Sequence, residues 1–224
     1  MSLSAGDLRG QVGVHWCAVT SSPPASTPGR RAQRVAETRQ RIVEAAIDLH
    51  TTAGPMRTTI SAIAERAGVQ RHTLYAHFPD EGELFEACTG LWRERNPFPD
   101  VRGWGAVADP GERLRLALEE LYGFYARAGA DLVAVFDGAD RLPTMTRSVA
   151  ERAEQISAMA ALLAQGRGAR ARRRTRLLAA LEHALHLDTW RSLCEQGGLR
   201  PAEAVALLIA LVEAADAPSA GGPP

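Results

Sequence analysis

The chain has 224 residues, enough for one large domain or two small ones with a real core in either case. Hydrophobic residues make up 46% and charged residues 23%, ordinary for a soluble globular protein, and 26 basic residues balance 26 acidic ones, which excludes a uniformly basic DNA-coating protein. Cys17, Cys88 and Cys194 are too scattered for a disulfide framework or a zinc site and fit a reduced, cytoplasmic setting.

No apolar run reaches membrane-spanning length, and the N-terminus lacks the basic-then-apolar pattern of a signal peptide. Alanine, leucine and arginine dominate, lysine is absent and no strand pattern occurs, so the expectation is an all-α chain. Residues 1–32 are rich in Ser, Pro, Gly and Thr, with Pro23, Pro24 and Pro28 close together, and read as a disordered extension. Arg30, Arg31 and Arg34 lead into a helix at about 33–53, whose stripe is Ile42, Ala45, Ala46, Leu49 and Ala53. Gly54-Pro55 stops it, and Thr58 or Thr59 can cap the next.

Residues 59–78 then read as two short helices joined by a tight turn. Ile60, Ile63, Ala64 and Ala67 recur at helical spacing, and Gly68 supplies a residue able to take the left-handed conformation that redirects the chain. Val69 plugs the corner. Gln70 and Arg71 open a second helix with Leu74 and Phe78 inward, and Arg71, His72, Thr73, Tyr75 and His77 on the other face. One face packs on the first helix and the other carries hydrogen-bonding groups, the division a helix-turn-helix needs to enter a DNA major groove. Residues 30–78 also concentrate arginine over acid, so local asymmetry supplies the DNA affinity that net charge does not.

Pro79-Asp80 starts another helix, with Asp80 as cap and Glu83 as the return partner of a capping box. It runs through Leu84, Ala87, Cys88, Leu91 and Trp92 to about Arg95, and belongs to both halves of the chain. Residues 96–110 carry three prolines and two glycines and read as a linker. Helices follow at about 110–128, 130–139, 143–165, 170–196 and 201–215, with Gly166 and Gly168, then Gly197-Gly198, as breaks. The last is apolar nearly all round, so it needs cover on both sides, and a second subunit is the economical cover. The resulting division is a 1–32 extension, a 33–80 helix-turn-helix domain, an 81–216 helical domain and a 217–224 disordered tail.

Residues 37–92 resemble the DNA-binding domain of the TetR family of transcriptional regulators. The likeness is carried by Arg41-Ile-Val-Glu-Ala-Ala-Ile47, Thr59-Ile-Ser-Ala-Ile-Ala-Glu-Arg-Ala-Gly-Val69, Thr73-Leu-Tyr-Ala-His-Phe78 and Leu84-Phe85, with spacing intact. More loosely, His186-Leu-Asp-Thr-Trp-Arg-Ser-Leu193 and Gly198-Leu-Arg-Pro-Ala-Glu-Ala-Val205 are similar to that family's paired last helices. The resemblance implies an all-helical homodimer joined through the last two helices, a small-molecule pocket above the DNA-binding domain, and double-stranded operator DNA as partner. It places Thr59 on a phosphate, Gln70, Arg71, His72 and Thr73 on base edges or phosphates, and Tyr75 and His77 on the DNA backbone. Many members have Ser at Gln70, a small residue at His72 and Lys where this chain has Glu81, so no relative's operator sequence can be borrowed.

In the same frame Leu181, Leu185, Val205, Leu208, Ile209 and Val212 are the expected dimer contacts. Trp92, Trp104, Tyr122, Tyr125, Phe136, Met159 and His186 are the expected ligand contacts, against ordinary core packing as the bland reading. Arg30, Arg31 and Arg34 suit either a minor-groove arm or a solvated tail. The run Arg170, Arg172, Arg173, Arg174 and Arg176 reads as a solvated face or helix-end charge in preference to a nucleic-acid patch. His183 and His186 lie three apart without further ligands, so no metal and no cofactor is expected.

The expected function is a ligand-responsive regulator, a repressor that reads a pseudo-palindromic operator as a homodimer and is released by a small-molecule inducer. The rival is an all-helical carrier or enzyme without DNA binding. No nucleophile elbow, phosphate loop or nucleotide fingerprint supports it, so no enzyme is expected.

Overall fold

In the computed structural model, which describes residues 29–142 and 145–218, every regular element is helical. The expected extension lies outside the described residues up to residue 28, as does the expected tail beyond 218. In chain order the helices are α1 (Arg30–Thr52), α2 (Ile60–Ala67), α3 (Arg71–His77), α4 (Glu81–Arg95), α5 (Val101–Ala106) and α6 (Pro110–Phe136). Then come α7 (Thr146–Leu163), α8 (Ala171–Leu185), α9 (Leu187–Trp190), a π-helical turn over Arg191–Gln196, and α10 (Pro201–Asp216).

The caps explain the first boundaries. Thr59 ends an extended stretch and its hydroxyl accepts the Ala62 amide at 3.2 Å, which starts α2. Gly68, at φ 66° and ψ 38°, is the left-handed residue that ends α2, and its N–H reaches back to the Ala64 and Glu65 carbonyls. Asp80 accepts the Glu83 amide at 2.8 Å and starts α4. Asp109 does the same for α6 through the Glu112 amide, with Pro110 in the first turn.

Two apolar cores result. The first gathers Ile42, Ala46, Ile63, Ala64, Leu74 and Phe78 from α1, α2 and α3, with Leu84 and Cys88 of α4. The second is built by α5 to α10 around Leu114, Leu118, Leu121, Leu163, Leu181 and Leu208. Helix α4 serves both, because Trp92, one turn beyond Cys88, packs against the second core. Where the cores meet, Gly54 takes a φ of 82°, and a β-carbon there would lie 2.9 Å from the Ala134 carbonyl oxygen of α6. Only glycine allows that approach.

Four boundaries differ from the sequence expectation. The first helix starts at Arg30, so Arg30, Arg31 and Arg34 stand on helix and not on a flexible arm. The linker expected at 96–110 contains the short α5, anchored by Trp104, which is fully buried and donates to Glu120 at 2.7 Å. The expected helices at 110–128 and 130–139 are one, because Ala128 and Leu132 continue the buried stripe of Leu118, Leu121 and Tyr125. The expected 170–196 helix breaks at His186. There the hydroxyls of Tyr122 and Tyr125 donate to the Ala184 and Leu185 carbonyls at 3.2 and 2.9 Å, satisfying the free end of α8.

Arg113 holds a further junction that the sequence pattern does not mark. It is buried at 6% exposure and donates to the carbonyls of Val107, Ala108, Leu162 and Gln165, tying the start of α6 to the end of α7. Its only sequence signal is an arginine on an otherwise apolar face, beside Leu114 and Ala117.

Candidate nucleic-acid interface and interdomain cavity

Helix α3 is divided in the way a groove-reading helix must be. Leu74 and Phe78 are buried at 1% and 0% exposure. Arg71, His72 and Tyr75 are exposed, Thr73 and His77 half-buried, and Gln70 stands exposed at the N-cap with no side-chain cap bond. Thr59 is exposed at the start of α2. The Arg71 guanidinium lies 5.6 Å from the Tyr75 ring centroid and donates to its hydroxyl at 3.4 Å, so the two present one joint surface. Glu81, the first residue of α4, is exposed, and its charge reaches Arg71.

Two arginines of α1 that belong to the basic segment are exposed yet bonded within the domain. Arg39 donates to the His77 carbonyl at 3.2 Å and sits 4.0 Å over the Phe78 ring. Arg41 donates to the Ala67 carbonyl at 3.2 Å. Both cations thus cap the carbonyl ends of α3 and α2, where the helix dipole is negative, and lock the two helices to α1. Residues 30–37 are exposed throughout, so the first two turns of α1 form an overhang carrying Arg30, Arg31 and Arg34 against Glu37. Exposed ion pairs Arg66–Asp48 and Arg95–Glu44 staple α2 and α4 to α1, and Arg95 holds the Glu44 carboxyl below its ordinary range.

Between the two cores lies a cavity of about 570 Å³, within the size range of small-molecule sites. Its walls come from α1 (Ile47, His50, Thr51), α4 (Phe85, Cys88, Thr89, Trp92, Arg93, Asn96) and the following Phe98 and Val101. Helix α6 adds Phe124, Leu132, Val135 and Phe136, and α7 with its N-cap adds Met145, Ser148, Glu151, Arg152, Gln155, Ala158 and Met159. Burial lowers the His50 pKa and pushes the Cys88 thiol up to about 11, and the two stand 3.7 Å apart as neutral neighbours.

Among the expected ligand contacts, Trp92, Phe136 and Met159 line this cavity, and Trp104, Tyr122, Tyr125 and His186 do not. Trp104 and the two tyrosines lie in the second core with their polar atoms bonded as described, and His186 is an exposed residue between α8 and α9. The sequence treats all buried aromatics alike, because it does not show which polar tips a helix end will take. Arg152 and His50, which no aromatic pattern marks, face the cavity.

Of the expected dimer residues, Leu181, Leu185, Val205, Leu208 and Val212 are buried within the subunit itself, and Ile209 is half-buried. The face of α10 left open instead carries Leu207 and Leu211, at 51% and 43% exposure. In the basic run Arg173 pairs with Asp216 at 2.9 Å, and Arg176 donates to the Ala215 and Ala217 carbonyls, so these arginines sit at the C-terminal end of α10 as helix-end charge. His183 and His186 are divided by the break after α8. Among the described residues no group of three or more His, Cys, Asp or Glu is placed to hold a metal, and no helix is long and apolar enough to cross a membrane.

Residues 42–88 match the family described as bacterial regulatory proteins, tetR family. The chain is 35% identical over 86 residues to the HTH-type transcriptional regulator SrpR of Pseudomonas putida, covering 35% of this chain and 39% of that protein. It is 43% identical over 58 residues to the HTH-type transcriptional regulator TtgR, also of Pseudomonas putida, covering 26% and 28%. These matches therefore span well under two thirds of either relative. A TetR-like transcriptional regulator from Rhodococcus sp. RHA1 superposes with a TM-score of 0.54 at 23% identity, covering 84% of this chain and 97% of that one, a likeness of fold.

Proposed function

We infer, from the premise that the chain belongs to the TetR family of bacterial regulatory proteins, that it is a DNA-binding transcriptional regulator, a repressor released by a small-molecule inducer. The observation that carries this reading is α3: a short helix anchored by Leu74 and Phe78 that exposes Arg71, His72 and Tyr75 on one face. On this reading 33–80 is the DNA-binding domain and 81–216 the ligand-binding and dimerisation domain, working in the cytoplasm. A homodimer sets two α3 helices into successive major grooves, and its pseudo-palindromic half-sites lie about one helical turn apart or somewhat more. The apolar Leu207 and Leu211 on α10 support a second subunit as cover.

The cavity supports the inducer role because its walls belong to both cores, so an occupant touches α1 and α4 on one side and α6 and α7 on the other. A ligand that binds one arrangement of these walls better shifts the population toward it, and DNA affinity changes by the same coupling free energy. The relatives are regulators by name, and no residue of this chain is assigned a catalytic role.

The test is fluorescence anisotropy of the full chain with DNA from upstream of its own gene and the divergent neighbour, at two salt concentrations, against scrambled competitor. Saturable binding that beats competitor and weakens with salt is expected. If genome-wide operator selection on ligand-stripped protein also yields no preferred sequence, the regulator reading falls.

A further inference from the structure

The cavity wall carries a half-buried cation, Arg152, that forms no ion pair among the described residues. Glu151 is paired outward, its carboxylate accepting from Arg147 Nε at 2.7 Å. Its neighbour Arg152 is different. The guanidinium sits 4.9 Å over the Phe136 ring, itself part of the wall. One terminal nitrogen, Nη2, is shut off from solvent and has no hydrogen-bond partner among the described residues.

A half-buried guanidinium set among aromatic side chains with no carboxylate bonded to it is costly, and a carboxylate brought into the cavity would offset that cost. The other titratable groups of the wall do not supply one. His50 is disfavoured as a cation by burial, Cys88 is held as a thiol, and Arg93 is an exposed cation. The Tyr125 hydroxyl donates to the Leu185 carbonyl and can turn a lone pair toward the Arg152 guanidinium, but it is neutral and leaves the positive charge unbalanced. The remaining surface is dominated by Phe85, Trp92, Phe98, Phe124 and Phe136, whose faces and edges suit a flat apolar body.

We propose that the cavity takes a monoanionic aromatic amphiphile, with the Arg152 guanidinium receiving its carboxylate and the surrounding aromatic side chains enclosing its ring system. The proposal rests on the inducer reading of the cavity and names the class of inducer. A planar carboxylate in the cavity can accept charge-assisted bonds from the guanidinium of Arg152, a residue of the wall, while that guanidinium stays stacked on Phe136.

The experiment is isothermal titration calorimetry of the full chain with 2-naphthoate, 2-naphthalenemethanol and 2-naphthylmethylammonium, which share a ring and differ in charge. The carboxylate should bind at least about tenfold more tightly than the alcohol, and the ammonium most weakly, since a bond to a charged group is what distinguishes them. Arg152→Gln should remove the carboxylate's advantage while leaving the alcohol's affinity unchanged, which also shows that the variant cavity is intact, and Arg152→Lys should restore part of it. Equal binding of carboxylate and alcohol by the native chain overturns the proposal. So does retained carboxylate preference in Arg152→Gln, tighter binding of the ammonium, or no binding of any of the three. DNA anisotropy with 2-naphthoate present separates the two readings. Binding that depends on Arg152 but leaves DNA affinity unchanged keeps the ligand class and removes the inducer role.

Discussion

The Trp190 indole occupies the space in which a side chain on Gly129 would stand: a β-carbon there would lie 2.5 Å from the ring. Trp190 itself is tilted against Tyr125, with ring centroids 6.0 Å apart, so α6 and α9 close on each other through the missing methyl. Gly129→Ala should therefore destabilise the chain by about 1–3 kcal/mol, the usual cost of forcing extra volume into a filled core. Urea unfolding followed by circular dichroism measures it, and a variant as stable as the native chain would mean that α9 can withdraw at no cost.

On α3, Tyr75→Phe should weaken binding to every DNA sequence alike, because the lost hydroxyl is assigned to the DNA backbone. Gln70→Ala and Arg71→Ala should each cost about 1–3 kcal/mol on the preferred site and relax its base preference. Since Arg71 is bonded to the Tyr75 hydroxyl, the Arg71 and Tyr75 changes should be non-additive. Anisotropy titrations on the selected operator and on single-base variants check this. If all three variants lost only general affinity, the base-reading assignment would be wrong.

The overhang of α1 offers a salt measurement. Replacing Arg30, Arg31 and Arg34 by alanine should lower the slope of log affinity against log salt by about one for each phosphate these residues neutralise. Stability should not change, because residues 30–37 are exposed and lie outside both cores. An unchanged slope would return the three arginines to the solvated-surface reading.

His50 gives the chain an acid-sensitive element. Burial lowers its folded pKa below the ordinary 6.5, so the unfolded chain takes up the proton first. Its contribution is complete above pH 6.5 and is lost as pH falls through the folded value. Glu44, held below its ordinary 4.5 by Arg95, acts in the same direction only at lower pH. The urea midpoint of the native chain should accordingly drop between about pH 7 and about pH 5, and His50→Gln should flatten that drop. Parallel profiles for the two proteins would show that His50 titrates as a free histidine.

The helix-turn-helix was legible because its signals are local. A hydroxyl before an apolar stripe, a glycine after it and a two-faced second helix all lie within one short segment, and Thr59, Gly68 and Leu74 take the places their chemistry dictates. What escaped reading depends on partners distant in the chain. No periodicity tells that Tyr122 and Tyr125 end a helix far along the chain, or that a glycine at 129 serves close packing in place of a turn. The cavity illustrates the same limit. Aromatic and methionine content placed Trp92, Phe136 and Met159 in its wall but equally suggested Trp104, whose ring is enclosed elsewhere. The unanswered charge of Arg152 appears only once Glu151 is seen to turn toward Arg147.

The approach of Gly54 to the Ala134 carbonyl bears on how the molecule comes apart. Two cores on one chain would ordinarily open independently, the smaller first. Here the turn after α1 lies directly on α6, Met56 reaches Gly138 just beyond the end of that helix, and α4 lends its side chains to both sides. Opening either core strips surface from the other, so the slowest-exchanging amide protons of α1 and α6 should be released together, in a single global event. The helix pair proposed to enter DNA would then inherit its rigidity from the larger half of the fold.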